Sequence, residues 1–214
     1  MSSYPLWDIP TRLFHWLLVL GIGLAWLSHE QDWYEVHRWT GYTVFVLVLF
    51  RLLWGVWGSR HSRFADFVRS PLAVLRYWQG RRDAGVGHNP AGGWSVLVLL
   101  SLVLVQATTG LFNSDGLFFD GPLHFALDSS MTDKLGELHD QLFWVILGFS
   151  GLHVAAIAWY RLVRKENLVA PMITGGDSGE EAPVSLLRAL VLLGLCAGAL
   201  ALAIYLAPAP TPPW

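Results

Sequence analysis

The sequence contains little charge and almost no cysteine. Charged residues make up 14% of its 214 positions, whereas hydrophobic residues make up 54%. Because soluble domains carry about 25% charged residues, this composition excludes an ordinary soluble globular protein and indicates a membrane protein. The single cysteine, Cys196, excludes a disulfide within the chain and any paired-cysteine motif for covalent attachment of a cofactor. With a formal net charge of −2, the chain also lacks the basic surplus that nucleic-acid binding requires.

Five apolar runs are each long enough to cross a bilayer, which takes about 20 helical residues. They cover residues 9–28, 37–57, 94–112, 136–162 and 185–206. We therefore predict an all-α integral membrane helix bundle, with a four-helix core built from the first four runs and a fifth transmembrane helix. The N-terminal residues lack the basic start and small-residue cleavage site of a signal peptide, so we expect the first run to be retained as a span.

The segments between the runs differ in the sign of their charge. Residues 58–93 contain six arginines and two aspartates, whereas residues 113–135 contain four aspartates and one lysine. Arg161 lies at the end of the fourth run, and Arg164 and Lys165 follow it closely. Since lysine and arginine collect on the cytoplasmic side of a membrane, we predict a cytoplasmic N-terminus and, after five spans, a C-terminus outside. The arginine-rich loop is also suited to contact lipid headgroups.

Three shorter segments connect or follow the spans. Residues 71–78 form an amphipathic stretch that we expect to lie on the membrane surface. Residues 166–184 are predicted to be a flexible linker, because most of this stretch is rich in Gly, Asp and Glu. Residues 207–214 form a proline-rich tail that is expected to be extended. The predicted division is thus a transmembrane domain over residues 1–165, the linker, the fifth helix and the tail.

Two histidines, His139 and His153, lie fourteen residues apart inside the fourth run. On a helix they fall within roughly 40° of each other and about 21 Å apart along the axis. A histidine inside hydrocarbon is costly and usually functional. In the predicted orientation, His37 lies at the outer level of His139, and His15 lies at the inner level of His153. Each pair can hold one haem iron between neutral imidazoles on facing helices, without a covalent link.

The spacing leaves one alternative ligand open. His29 is also fourteen residues from His15, so it could replace His37 in the outer site. Three further histidines lie at span ends or in loops, where a histidine is usually an ordinary polar residue: His61, His88 and His124.

Four polar residues lie near the two predicted levels. Arg51 lies inside the second run at the level of the inner site, and a buried arginine needs an anionic partner. A haem propionate would provide one, and Arg12 and Arg38 are further candidates for this role; alternatively, Arg51 snorkels to the interface. Asn89 lies in a Pro/Gly turn before the third run, where it could bind a quinone carbonyl near the inner site or simply shape the turn.

Three sequence motifs resemble the bacterial cytochrome b561 family, which includes the b-type subunits of membrane hydrogenases and formate dehydrogenases and small four-span di-haem cytochromes. They are RLFHW at residues 12–16, VHRWTGY and FRLLWG within residues 36–55, and LHDQLFWVILGFSGLHV at residues 138–154. The resemblance implies two b haems, with His15 opposite His153 and His37 opposite His139, and it favours His37 over His29. It covers about the first 165 residues, so the fifth span and the tail lie outside the four-span pattern.

These features favour transmembrane electron transfer between the quinone pool and a redox partner in the bacterial inner membrane. The acidic segment 113–135, expected on the periplasmic side, favours a basic c-type cytochrome as the partner. A second hypothesis is a superoxide oxidase that passes electrons to quinone, although an acidic outer surface would repel the anion. A third is a histidine-based transporter of protons or metal ions. The transporter would be colourless, so a visible spectrum separates it from the other two, and the sequence leaves open whether the chain is an enzyme.

Overall fold

The computed structural model describes residues 6–79, 90–176 and 185–209. These residues form α-helices joined by turns, as predicted. The helices are α1 (Ile9–Glu30), α2 (Tyr34–Trp57), α3 (Phe64–Phe67), α4 (Pro71–Trp78), α5 (Pro90–Gly110), α6 (Ser129–Trp159), α7 (Val169–Thr174) and α8 (Leu186–Tyr205). Helix α6 continues as a π-helical turn, Tyr160–Arg164.

The five predicted spans are confirmed as long apolar helices: α1, α2, α5, α6 and α8 are each long and apolar enough to cross a membrane. Helix α6 begins at Ser129, seven residues before the apolar run that predicted it. The side chain of Asp128 caps this end by accepting a hydrogen bond from the main-chain nitrogen of Met131 at 3.1 Å. The apolar run thus marks the membrane-spanning part of the helix, whereas the cap determines where the helix begins.

Helix α2 is the centre of the bundle. It packs against α1, α5 and α8, and α5 in turn packs against α6. The buried side of α2 includes Val48 and Trp54, both fully buried. Among the described helices, α1 and α6 do not pack against each other as closely as these pairs do. The α1–α2 pair and the α5–α6 pair therefore meet mainly through α2 and α5.

The connections sort into two ends of the bundle. One end holds the turn between α1 and α2 and the segment between α5 and α6. The other end holds the start of α1, residues 58–79 after α2 and the end of α6, where the hydroxyl groups of Tyr77 and Tyr160 lie 2.5 Å apart. Helix α8 also starts at this second end. Its Arg188 side chain donates a hydrogen bond at 3.3 Å to the carbonyl of Trp57, the last residue of α2. The basic connections thus share one end.

Two of the shorter segments form helices. The stretch predicted to be amphipathic is α4, which begins with Pro71 in its first turn. Part of the segment predicted to be a linker forms α7, and this helix returns to the start of α1. There the Arg12 side chain donates to the Ile173 carbonyl at 2.6 Å, and Trp16 Nε1 donates to the Met172 carbonyl at 3.2 Å. The rest of that segment, residues 177–184, lies outside the described residues.

Candidate functional site

His37 on α2 and His139 on α6 face each other near the end that holds the α1–α2 turn. Their ring centroids are 6.3 Å apart, and the ring planes are inclined by 77°. With a bond of about 2.0–2.1 Å from imidazole nitrogen to metal, as for zinc, and a ring centre roughly 1.2 Å behind that nitrogen, two imidazoles on opposite sides of one ion have centroids about 6.5 Å apart. The observed separation fits one metal ion held between the two rings.

Hydrogen bonds orient both rings. His37 Nδ1 lies 2.9 Å from the Ala25 carbonyl on α1, and His139 Nδ1 lies 2.9 Å from the Gln106 carbonyl on α5. Because a carbonyl oxygen only accepts, each Nδ1 must carry the proton, and in a neutral imidazole Nε2 then has the free lone pair. Metal-binding histidines commonly donate their second N–H to a carbonyl in this way. Each ring is thus held by a neighbouring helix with its ligating nitrogen available.

Two hydroxyl groups share the carbonyls that anchor the histidines. Ser28 Oγ donates to the Ala25 carbonyl at 3.0 Å, and Thr109 Oγ1 donates to the Gln106 carbonyl at 2.9 Å. The hydroxyls also lie 3.4 and 3.2 Å from the Nδ1 atoms of His37 and His139. Ser28 is fully buried and Thr109 is 3% exposed. The sequence analysis missed Ser28 and assigned no role to Thr109. On both helices, however, the hydroxyl residue lies three positions after the residue whose carbonyl anchors the histidine.

The second histidine pair, His15 on α1 and His153 on α6, lies nearer the basic end. Both side chains are half-buried, and an electrostatic interaction between them indicates that they lie in the same region of the bundle. His15 Nδ1 is buried and makes no hydrogen bond to any described residue. One imidazole nitrogen of His15 therefore lacks a partner among the described residues, as expected where a further group binds.

His29, the alternative ligand, lies beside His37. Its ring centroid is 6.0 Å from that of His37. His29 is exposed, and its ring makes no hydrogen bond with a described residue, in contrast to the anchored ring of His37. The geometry thus favours His37 as the oriented ligand, while His29 remains near enough to influence the site.

Three arginines near the two histidine pairs have buried N–H groups without a partner among the described residues. These groups are Nε of Arg12, Nε of Arg38 and Nη1 of Arg51. Arg51 is 3% exposed, and its guanidinium carbon lies 5.0 Å above the Phe64 ring. A side chain that snorkels would reach the surface, which Arg51 does not. Free buried donors of this kind fit the carboxylates of an anionic cofactor.

Arg38, next to His37, has two neighbours at the end of the bundle that holds the α1–α2 turn. It forms an ion pair with Glu35 at 2.9 Å, and its guanidinium carbon lies 5.2 Å above the Phe119 ring. Asn89, the candidate quinone ligand, lies outside the described residues.

A membrane helix bundle with an oriented pair of histidines facing each other between its helices has the architecture of a b-type membrane cytochrome. The chain belongs to the prokaryotic cytochrome b561 family, whose model matches residues 6–175. It is therefore a multi-pass membrane protein that carries b-type haem and transfers electrons across the membrane.

Two curated relatives were also found. The chain is similar to the "Probable Ni/Fe-hydrogenase 1 B-type cytochrome subunit" of Escherichia coli strain K12, with 21% identity over 223 residues that cover 86% of this chain and 94% of the relative. The protein of the same name from Escherichia coli O157:H7 matches to the same extent. No solved structure matches the chain significantly.

Proposed function

We propose that this chain transfers electrons through two non-covalent b haems between the quinone pool and a redox partner on the periplasmic side of the bacterial inner membrane. The observation that carries the proposal is the geometry of His37 and His139, whose rings are 6.3 Å apart and are both anchored through Nδ1. Bound between such rings, haem iron supplies one-electron redox chemistry. The residues of the chain hold the cofactor, orient it and keep water away.

At the outer level, His37 and His139 would hold the haem iron. The carbonyls of Ala25 and Gln106 select the tautomer of each imidazole, because only a protonated Nδ1 can donate to them. Arg38 lies next to His37 in sequence and has a buried free Nε, so it is the proposed partner of a haem propionate at this level.

At the inner level, His15 and His153 are the proposed ligands, with Arg12 and Arg51 as partners for propionates. The two levels are about 21 Å apart along α6, because fourteen residues separate His139 from His153. The hydrocarbon core is about 30 Å thick, so two haems at these levels would span most of it. Apolar side chains of α2 and α5 form the buried core between these levels.

The charge at the two ends supports the orientation and the kind of partner. The end with the α1–α2 turn and the segment before α6 has nine acidic residues and two basic ones. The acidic residues are Glu30, Asp32, Glu35, Asp115, Asp120, Asp128, Asp133, Glu137 and Asp140, and the basic ones are Arg38 and Lys134. By the distribution of arginines this end faces the periplasm. Such a surface would attract a basic protein such as a c-type cytochrome and would repel superoxide, which disfavours the oxidase hypothesis.

The proposed quinone site lies near the inner haem, at the start of α5. Trp94 Nε1 donates to the Arg69 carbonyl at 2.9 Å and so ties this end of α5 to the arginine-rich segment. Asn89 directly precedes α5 and would offer its amide to a quinone carbonyl. The neighbouring arginines would at the same time contact lipid headgroups.

A visible spectrum and a haem count of the purified protein test the proposal. We expect a b-type spectrum on reduction, with close to two haems per chain. His139→Ala should remove the outer haem and His153→Ala the inner one, each leaving about half of the total. If both variants keep the full haem content, the ligand assignment is wrong, and a colourless wild-type protein would favour a transporter.

A further inference from the structure

A short hairpin projects from the acidic end, between α5 and α6. An isolated antiparallel bridge joins Ser114 to Asp120. The main-chain nitrogen of Asp115 donates to the Phe119 carbonyl at 3.1 Å, and Ser114 Oγ donates to Asp120 Oδ1 at 2.7 Å. We call residues 114–120 the outer hairpin. Its ends are joined by main-chain and side-chain hydrogen bonds, so its tip has a defined shape.

One carboxylate organises the tip of the outer hairpin. Asp115 Oδ1 accepts hydrogen bonds from the main-chain nitrogens of Leu117, Phe118 and Phe119 at 2.9, 2.8 and 2.8 Å. Gly116 has φ +72°, a conformation that glycine adopts without strain. The hydrogen bonds from the backbone N–H groups of Leu117, Phe119 and Phe118 lower the pKa of Asp115. The tip is therefore a fixed turn with a negative charge at its base at neutral pH.

The tip exposes two large apolar side chains. Leu117 is 82% exposed and Phe118 is 77% exposed, whereas Phe119 lies under the guanidinium of Arg38. Tyr34 stacks against the rings of Phe118 and Phe119, with centroids 6.4 and 6.3 Å away. An ordered turn thus exposes apolar side chains outside the predicted spans, and exposed apolar groups with a polar rim are typical of interaction sites.

The charges around the tip favour a protein over lipid as its occupant. Asp115 and Asp120 lie at the base of the outer hairpin, and the end as a whole has nine acidic and two basic residues. Carboxylates oppose insertion into a headgroup layer that is itself anionic or zwitterionic, but they attract a basic protein surface. An apolar centre inside a charged rim is the usual arrangement of a protein interface.

We propose that Leu117 and Phe118 form the apolar centre of a docking surface for a soluble redox protein whose exposed cofactor edge is surrounded by basic residues. The proposal rests on the proposed function, since it names where the partner would bind. The outer hairpin is joined to the outer histidine pair through Phe119, which contacts Arg38, the neighbour of His37. A partner seated on the tip would thus be held over the haem that is proposed at His37 and His139.

Electron exchange with mitochondrial cytochrome c, a basic soluble haem protein, tests the docking surface. The haem-loaded full chain is placed in lipid nanodiscs, and the exchange rate is measured by stopped flow at increasing cytochrome concentration. For Leu117→Ser and Phe118→Ser we expect the apparent Kd to rise about tenfold each, as for the central residues of an interface. The rate at saturation should be unchanged, because neither side chain contacts the proposed haem ligands.

Matched controls are Phe125→Ser and Leu127→Ser, which change apolar residues that are each 41% exposed on the same segment but outside the outer hairpin. They should leave Kd unchanged. An unchanged Kd in the hairpin variants, or no exchange with the wild type, would overturn the docking proposal. A wild-type protein without haem would instead refute the proposed function itself.

A fluorescent label at the tip distinguishes docking of a soluble protein from binding to lipid and from self-association. Phe118→Cys can be labelled alone when Cys196, the only native cysteine, is replaced by alanine. We expect the label to be quenched at cytochrome concentrations above the raised Kd of a Phe118 variant and to be unaffected by lipid. An emission shift on transfer from detergent to nanodiscs would show that the tip binds the membrane, and a shift that depends on protein concentration would show self-association. Either result would overturn the proposal.

Discussion

A methyl group added at Gly110 should remove the outer haem without unfolding the protein. A Cβ atom built at this glycine, the last residue of α5, would lie 2.8 Å from His139 Cε1 and 3.3 Å from His139 Nδ1. Ordinary contacts of a Cβ atom begin at 3.4 Å, so the imidazole would have to move by 0.6 Å, the difference between 3.4 and 2.8 Å. Functional groups must be held within about 0.5 Å of their working position.

The His139 ring cannot move this far and keep its anchor. Its Nδ1 is bound at 2.9 Å to the Gln106 carbonyl, on the same helix as Gly110, so the new methyl group pushes the ring away from the carbonyl that orients it. We expect Gly110→Ala to lose the outer haem and to keep the inner one. The fold should survive, because Gly110 does not have a positive φ and alanine therefore fits its backbone without strain.

The assay is haem quantification of purified Gly110→Ala beside Gly148→Ala. A Cβ atom at Gly148, in the middle of α6, meets nothing within 4 Å. The control should keep the full haem content, and Gly110→Ala should keep about half. Full haem content with an unchanged spectrum in Gly110→Ala would refute the view that His139 binds haem in the orientation that the Gln106 carbonyl sets.

Four further substitutions test other parts of the site. His37→Ala should lose the outer haem and His29→Ala should not, because only the His37 ring is anchored to α1; a haem count decides, and the reverse result would make His29 the ligand. Asn89→Ala should slow haem reduction by quinol without loss of haem, and unchanged kinetics would leave Asn89 as a turn residue. Ser28→Ala should lower the midpoint potential of the outer haem, since the Ala25 carbonyl would then accept more strongly from His37 and make its imidazole more electron-rich; an unchanged potential in a redox titration would exclude this role.

The sequence predicted the spans well because hydropathy reports directly which segments can lie in a membrane. Fourteen-residue spacing on α6 likewise follows from helix geometry alone, so the two levels of His139 and His153 could be predicted. The choice between His29 and His37 could not be made from spacing, and it depended on a resemblance. The structure adds the physical reason for that preference, which is the hydrogen bond from His37 to α1.

The anchors themselves could not be predicted, because a main-chain carbonyl has no residue signature. Ala25 is an ordinary apolar residue of α1 in the sequence, and Gln106 acts through its backbone rather than its side chain. The return of α7 to the start of α1 was also missed, since a Gly- and acid-rich segment predicts a linker and its hydrogen bonds join residues more than 150 positions apart.

A buried network around Asp8 was likewise invisible in the sequence. Asp8 is 6% exposed and caps α1 by accepting from the Thr11 nitrogen at 2.7 Å. Its other oxygen accepts from Trp54 Nε1 at 2.9 Å, from Ser59 Oγ at 2.5 Å and from Ser62 Oγ at 3.2 Å. One carboxylate thus joins the start of α1 to the end of α2 and to the turn that follows it.

Removing this carboxylate should destabilise the basic end of the bundle. Loss of a helix cap costs about 1 kcal/mol, and each buried donor left without an acceptor costs about 1–3 kcal/mol. The indole of Trp54 is fully buried, and so is Ser62, although the two serine hydroxyls also bond to each other at 2.9 Å. Counting the cap and the indole alone, we expect Asp8→Ala to lower the free energy of unfolding by about 2–4 kcal/mol.

Asp8→Asn is the informative comparison, because the amide keeps one acceptor oxygen but loses the negative charge that attracts Arg51. We expect it to be less destabilising than Asp8→Ala in thermal unfolding of the detergent-solubilised protein. Both variants should bind the inner haem more weakly if Asp8 also helps to hold the Arg51 guanidinium in place. Equal unfolding temperatures for wild type and Asp8→Ala would contradict the structural role of the network, and an unchanged inner haem in Asp8→Asn would show that Arg51 keeps its position without the charge.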